Sequence, residues 1–222
     1  MARRFVGCLV GLVVILGLGG GAALAGSGFY LGLGGSYAFS EIDNDTLADL
    51  TGISDLEDLD INIDFGDTYG FNARLGWRPL NFFALELNFD YLPGFDAGNA
   101  LTFFDLPVSV DTSLDIMTLM LDAKLIPLRL GPVEFSIFGG VGGMKADLDL
   151  NASSPLRGER VAASTSDSLL CGEVGIGVGV ALGQHISLGV EGSYVGGFGD
   201  VGDYNYGIGY FLITGGIDFY FK

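Results

Sequence analysis

Two-residue alternation between apolar and small or polar side chains returns eight times along this chain, and it restricts the fold to antiparallel sheet more sharply than any other feature. In "GFYLGLGGSYAFS", Phe29, Leu31, Leu33, Tyr37 and Phe39 oppose Tyr30, Gly32, Gly34, Ser36, Ala38 and Ser40. The pattern recurs in "DTYGFNARLGWR", "FFALELNFDYL", "MTLMLDAKLI", "VEFSIFGGVGG", "LLCGEVGIGVGVAL" and "ISLGVEGSY". It ends in "FLITGGIDFYFK", where Phe211, Ile213, Ile217, Phe219 and Phe221 oppose Thr214, Asp218 and Tyr220. The predicted strands are joined alternately by short turns (around Pro79, at 128–132 and at 183–185) and by long connections (41–66, 92–111, 145–168 and 196–206). All six prolines are assigned to connections, because proline has no N–H to give to a ladder.

The expected architecture is an all-β, eight-stranded, up-and-down antiparallel barrel with one tight rim and one elaborate rim. Eight strands of about ten residues close a barrel whose interior side chains just fill, and tilted strands of that length cross a bilayer. Alternation alone leaves two assignments open, a soluble ligand carrier with its apolar face inward and a transmembrane barrel with that face outward. Two features favour the bilayer. The face opposite the apolar one is rich in glycine, which suits a crowded interior. The apolar face is also layered: Phe29, Trp77, Phe83, Phe135, Phe219 and Phe221 gather at the tight rim, and Tyr37, Phe39, Tyr69, Phe89, Tyr91, Tyr194 and Phe211 at the other. Leu33, Leu75, Leu85, Leu121, Ile137, Ile176, Val190 and Ile213 fill the band between, the arrangement of paired aromatic girdles.

The first residues read as export. Arg3 and Arg4 precede an uncharged apolar run that ends Ala23-Leu24-Ala25, a small-x-small cleavage pattern, so residues 1–25 are expected to be a signal peptide and 26–222 one barrel domain. Removing that leader, which contains Cys8, leaves only Cys171 and excludes an intramolecular disulfide. The formal charge of -17 argues against nucleic acid, and losing Arg3 and Arg4 makes the balance more acidic. With 49% hydrophobic residues beside that charge, the acids must be segregated.

The closing "TGGIDFYF" resembles the C-terminal assembly signal of bacterial outer-membrane barrels through Thr214, Gly216, Phe219 and Phe221, although the chain adds Lys222 after the aromatic. The mature chain resembles the small eight-stranded barrels of the outer membrane protein A and opacity-protein type. The resemblance implies that insertion machinery recognises the last strand, that this strand pairs with the first, and that outer-membrane lipid and lipopolysaccharide surround a monomer. No peptidoglycan-binding domain is expected after it.

A filled interior must satisfy its charges. Arg74 with Glu86 and Lys124 with Glu134 are each symmetric about a tight turn and are expected to pair across their hairpins. Asp90, Asp122, Glu173, Glu191 and Asp218 outnumber the remaining Arg78, which leaves a narrow cation-preferring conduit as the alternative to an ion-pair network. From Glu41 to Asp67 the chain carries ten acids and no base, and "DLDINID" lacks the glycine of a helix-loop-helix calcium site, since Ile63 stands there. Leu59, Ile61, Ile63 and Phe65 suggest that the second strand continues outward, and "TLADLTGISDLEDL" a short helix over the rim. Phe95, Phe103 and Phe104 are expected to pack on neighbouring loops. The lone histidine, His185, falls in a tight turn away from the elaborate rim, so no enzyme, cofactor or metal is expected. The role that remains is a scaffold whose long acidic loops meet a surface partner, with the small-solute conduit as alternative.

Overall fold

A computed structural model describes residues 28–42, 66–103, 106–153, 160–198, 200–201, 204–205 and 208–221. In chain order the strands are β1 (Gly28–Ile42), β2 (Thr68–Leu80), β3 (Phe83–Phe103), β4 (Leu106–Leu130), β5 (Val133–Ser153), β6 (Arg160–Ala181), β7 (Ile186–Phe198), β8 (Asp200–Val201), β9 (Tyr204–Asn205) and β10 (Ile208–Phe221). Eight of them close a barrel in the order β1-β10-β7-β6-β5-β4-β3-β2, while β8 and β9 form a separate small hairpin. The closing seam pairs the first strand with the last, from Phe29 opposite Phe221 to Ile42 opposite Ile208.

Closure leaves no sheet edge in the barrel wall, and the apolar face points out. Leu121 is 57% exposed, Val141 63% and Ile176 67%, values no soluble core would leave on a continuous surface. Rings stand at both ends of that band: Phe29 stacks near Trp77 with centroids 6.3 Å apart, and at the other end Tyr37 meets Phe39 and Tyr69, each at 4.8 Å. No described helix is long and apolar enough to cross a membrane.

The strands run further than their sequence signal. β3, β4, β5 and β6 have 21, 25, 21 and 22 residues, against 15 in β1, 13 in β2 and β7 and 14 in β10. Most of 92–111 and 145–168, expected as loops, is therefore paired strand, and β7 also continues to Phe198. The segments "VSVDTSLDI" and "KADLDLNAS" keep the two-residue period, but their Ser, Asp and Asn content reads as loop when weighed by composition. The four long strands rise past the rim as a blade on one side of the barrel, from Phe95 opposite Leu114 to Phe103 opposite Leu106, and from Lys145 opposite Ser168 to Ser153 opposite Arg160. That is roughly 30 Å of strand.

Four prolines expected in connections lie in strands, and the ladder shows how three of them are tolerated. The register shifts between Trp77 and Leu80, between Leu92 and Phe95, and between Leu125 and Leu128, and these irregularities hold Pro79, Pro93 and Pro127. A bulge leaves one residue out of the ladder, so the missing N–H costs no hydrogen bond. Pro107 lies near the start of β4. At the second bulge Gly94 has φ +69°, a conformation glycine adopts without Cβ strain, and its N–H donates to Asp115 at 2.7 Å. This bend is where the blade leaves the barrel.

The expected leader with Ala23 and Ala25, the acidic segment 43–65 with its predicted helix and strand extension, and Phe104 lie outside the described residues.

Candidate functional site

The interior is layered along its axis. At the short-turn rim Tyr30 and Tyr220 stack with centroids 4.9 Å apart, flanked by Ala84 and Ala181. Above this floor lies a belt of charge: Arg74 pairs with Glu191 at 2.6 Å and Asp218 at 3.5 Å, and Lys124 pairs with Glu191 at 2.7 Å and with Glu86. Tyr30 donates its hydroxyl to Glu86, and Lys124 sits 5.5 Å from the Phe138 ring centre. A cavity of about 50 Å³ between floor and belt has room for about three waters. Nearer the rim, Arg78 and Arg129 reach Glu134 at 3.0 and 3.1 Å and both donate to the Asn81 carbonyl.

Neither predicted hairpin pair forms. The β2–β3 turn is centred beyond Leu80, so Arg74 faces Asn88 in the ladder and Glu86 faces Gly76. Lys124 likewise faces Phe138 rather than Glu134. In a narrow barrel the lumen itself is the shorter route, and the cations reach across it to carboxylates of other strands.

A third layer joins Asn72 to Asn88 at 2.7 Å and to Asp90 at 2.9 Å, with Ser36 bridging Asp90 and Thr214. Asp122 and Glu173 share this level, and neither is in an ion pair; both oxygens of Asp122 and Oε2 of Glu173 have no hydrogen-bond partner. The top layer was missed by the sequence reading. Leu92, Phe95, Leu114, Ile116, Met120, Met144, Leu148, Leu169, Cys171, Val195, Ile208 and Tyr210 belong to one buried apolar cluster. Phe95 thus points into the barrel, 6.3 Å from the Tyr210 ring, rather than onto a loop. The pairing of large apolar residues with inward positions above Asp90 was the available signal.

Lumen glycines are seats for neighbouring side chains. A Cβ on Gly32 would lie 2.3 Å from Arg74 Cγ and 2.4 Å from Asp218 Oδ1, and one on Gly76 would lie 2.0 Å from the Tyr30 ring. Gly76→Val is expected to unseat Tyr30 and cost about 1–3 kcal/mol. By contrast Gly192→Ala, where nothing lies within 4 Å, should be neutral. Urea midpoints of the two variants refolded in lipid vesicles check this.

Of the expected assembly residues, Thr214 is buried and bonded to Ser36, Gly216 packs on the Leu33 carbonyl, and Phe219 and Phe221 face outward, 40% and 57% exposed. On the blade, Lys145 donates to both oxygens of Asp147 at 2.8 and 2.7 Å, and these bonds, with one from Ser166, hold that carboxyl below its usual range. The blade has an open side: β6 pairs with β7 only from Leu170 opposite Phe198 downward, so residues 160–169 pair with β5 alone in the described sheet.

Comparison with known proteins places this geometry. The model of the outer membrane protein beta-barrel domain matches residues 10–212. No curated protein matches the chain. Among solved structures, the attachment invasion locus protein Ail of Yersinia pestis is similar with a TM-score of 0.50 and 13% identity, over 88% of this chain and 100% of that one. The same protein in complex with the heparin analogue sucrose octasulfate gives 0.52 at the same identity and coverage. Neisserial surface protein A gives 0.47 at 14% identity, over 88% and 98%.

Proposed function

This chain belongs to the outer membrane protein β-barrel domain family, and from that premise we propose that its lumen is a structural core while its specific work is done at the cell surface by the blade. It is an integral outer-membrane barrel, with short turns toward the periplasm and the tall side outward. The observation that carries the proposal is the blade's edge at residues 160–169, which pairs with no strand but β5 among the described residues. A strand with free backbone groups on one side is a template for an extended segment of another protein.

Arg74, Arg78, Glu86, Asp90, Asp122, Lys124, Glu134, Glu173, Glu191 and Asp218 serve in this reading as the polar core of the barrel. The apolar cluster above them and the small cavity below support a scaffold over a small-solute conduit. Thr214, Gly216, Phe219 and Phe221 serve as the signal that insertion machinery reads, and the girdled band contacts lipid and lipopolysaccharide. No catalysis is assigned, because His185 stands exposed in the β6–β7 turn. A polyanion such as the heparin analogue bound to Ail suits this chain poorly. The formal charge of this chain is -17, and among the described side chains Asp96, Asp115, Asp147, Asp149 and Asp167 line the blade against Lys145. A neutral or basic partner strand fits better.

The test trims the blade. Ala97 is joined to Thr112, and Leu148 to Thr165, each through an Asn-Gly turn, at positions already opposite one another. Host cells displaying the full chain are expected to be retained on immobilised extracellular proteins, and cells displaying the trimmed chain are not, while both proteins shift in gel mobility on boiling. Equal retention would overturn the surface role. Discrete conductance steps from the purified full chain would move the function to the lumen.

A further inference from the structure

The outward face is unevenly clothed on the side of the short strands. Just below the tall rim one outward row runs Val174, Tyr194, Phe211, Phe39 across β6, β7, β10 and β1. The next row toward mid-membrane runs Ile176, Gly192, Ile213 across the first three of these strands. Gly192 leaves a gap there, since a Cβ on it would meet nothing within 4 Å. Tyr194 does not drop into the gap, because it leans the other way. A Cβ on Gly209 would lie 2.4 Å from Tyr194 Oη and one on Gly196 3.3 Å from Tyr194 Cε1, so the ring rests on this opposed glycine pair nearer the rim. Phe211 packs against the same ring at 5.0 Å.

The two rows enclose a groove of about 760 Å³ with Gly192 in its floor, and among the described residues no charged side chain lines it. Its volume lies within the range of small-molecule sites. Its walls stay bare in the protein alone: Ile176 is 67% exposed and Val174 64%. The groove is continuous with the apolar band that the bilayer covers, so what fills it comes from the hydrocarbon. A second barrel would offer a convex wall, which a notch one residue wide does not accept, whereas an acyl chain is narrow enough to lie in it.

We infer that the Gly192 groove is a discrete lipid site that holds one acyl chain of a zwitterionic phospholipid. Charge selects the headgroup. Asp67 accepts the Tyr37 hydroxyl at 2.7 Å, and the Tyr37 ring packs edge-on against Phe39 at 4.8 Å, so the ionised group joined to this end of the groove is a carboxylate. Lys145, the one base among the described side chains of the tall side, lies on β5 and is held by Asp147. An ammonium headgroup therefore finds a complement here and a purely anionic one does not. The site depends on the lipid-facing band alone and not on any partner of the blade.

The experiment titrates the full chain, folded in detergent, with phosphatidylethanolamine and counts bound lipid by native mass spectrometry. One lipid is expected to bind well ahead of any other. Gly192→Leu, whose side chain has open space to enter, should weaken that first lipid at least about tenfold, the loss of about two buried methylenes. Gly35→Leu is the control: it faces outward opposite Gly215, a Cβ there meets only the Gly70 carbonyl at 3.9 Å, and it lies outside the groove, so its lipid binding should match the parent. The shift in gel mobility on boiling shows that each variant is a closed barrel. Lipid binding unchanged in Gly192→Leu would overturn the proposal, as would phosphatidylglycerol or lipopolysaccharide binding as tightly as phosphatidylethanolamine. Dimers of the parent that Gly192→Leu alone disperses would also overturn it, by giving the groove to a second copy.

Discussion

Arg74→Met should lower the stability of the folded barrel by about 3–5 kcal/mol, the cost of removing one partner from a buried ion-pair cluster. Arg74 has a side chain 3% exposed and is the one cation within ion-pair distance of Asp218 among the described residues. Glu191 would keep Lys124 at 2.7 Å, but Asp218 would be left with Ser187 alone at 3.2 Å. Methionine preserves the stem that lies on Gly32, so the loss reports charge rather than packing. Urea unfolding in lipid vesicles, followed by the fluorescence of Trp77, the single tryptophan, measures it. The triple variant Arg74→Met, Glu191→Gln, Asp218→Asn removes the orphaned charges with their partner and is expected to recover most of the loss. A neutral single variant would mean that the belt contributes nothing to holding the lumen together.

Leu121→Arg is the second large effect, and it tests the apolar face. Leu121 lies midway between the ring levels of β3 and β4, four residues from Leu125 opposite Phe83 and four from Met117 opposite Tyr91. In a bilayer an arginine there costs about 2–4 kcal/mol. Leu130→Arg, at a residue 59% exposed but at the short-turn rim, should cost about 0–1 kcal/mol. Exposure is nearly the same at the two positions, so only depth in hydrocarbon separates them. Equal costs in vesicles would refute a lipid-facing band.

Most of the barrel was legible in the sequence, because a side-chain period of two survives any uncertainty about where a turn falls. Phe29 to Phe39 and Phe211 to Phe221 could be assigned to one face without a structure. Ion pairing was not legible for the same reason: a register error of two residues at the β2–β3 turn keeps every side chain on its face yet moves Arg74 from Glu86 to Asn88. The blade was hidden by composition, since "VSVDTSLDI" keeps the alternation but carries loop-forming Ser and Asp. Prolines misled in a similar way, each of three marking a bulge within a strand rather than the end of one. The apolar layer around Phe95 and Tyr210 lies where strands were expected to have ended, so its inward residues had no assigned direction.

The four long strands have a mechanical meaning. They run unbroken from the blade into the barrel wall, so a pull on a partner held at the tip is directed along their axes. The ladder hydrogen bonds lie perpendicular to that axis, and the load is therefore shared as shear by many bonds at once instead of peeling them one by one. The bend at Pro93 and Gly94, pinned by Asp115, is where such tension would first be felt. In the surface role proposed above, such a tether would resist flow across the cell surface through geometry, independent of how tightly any single contact at its tip binds.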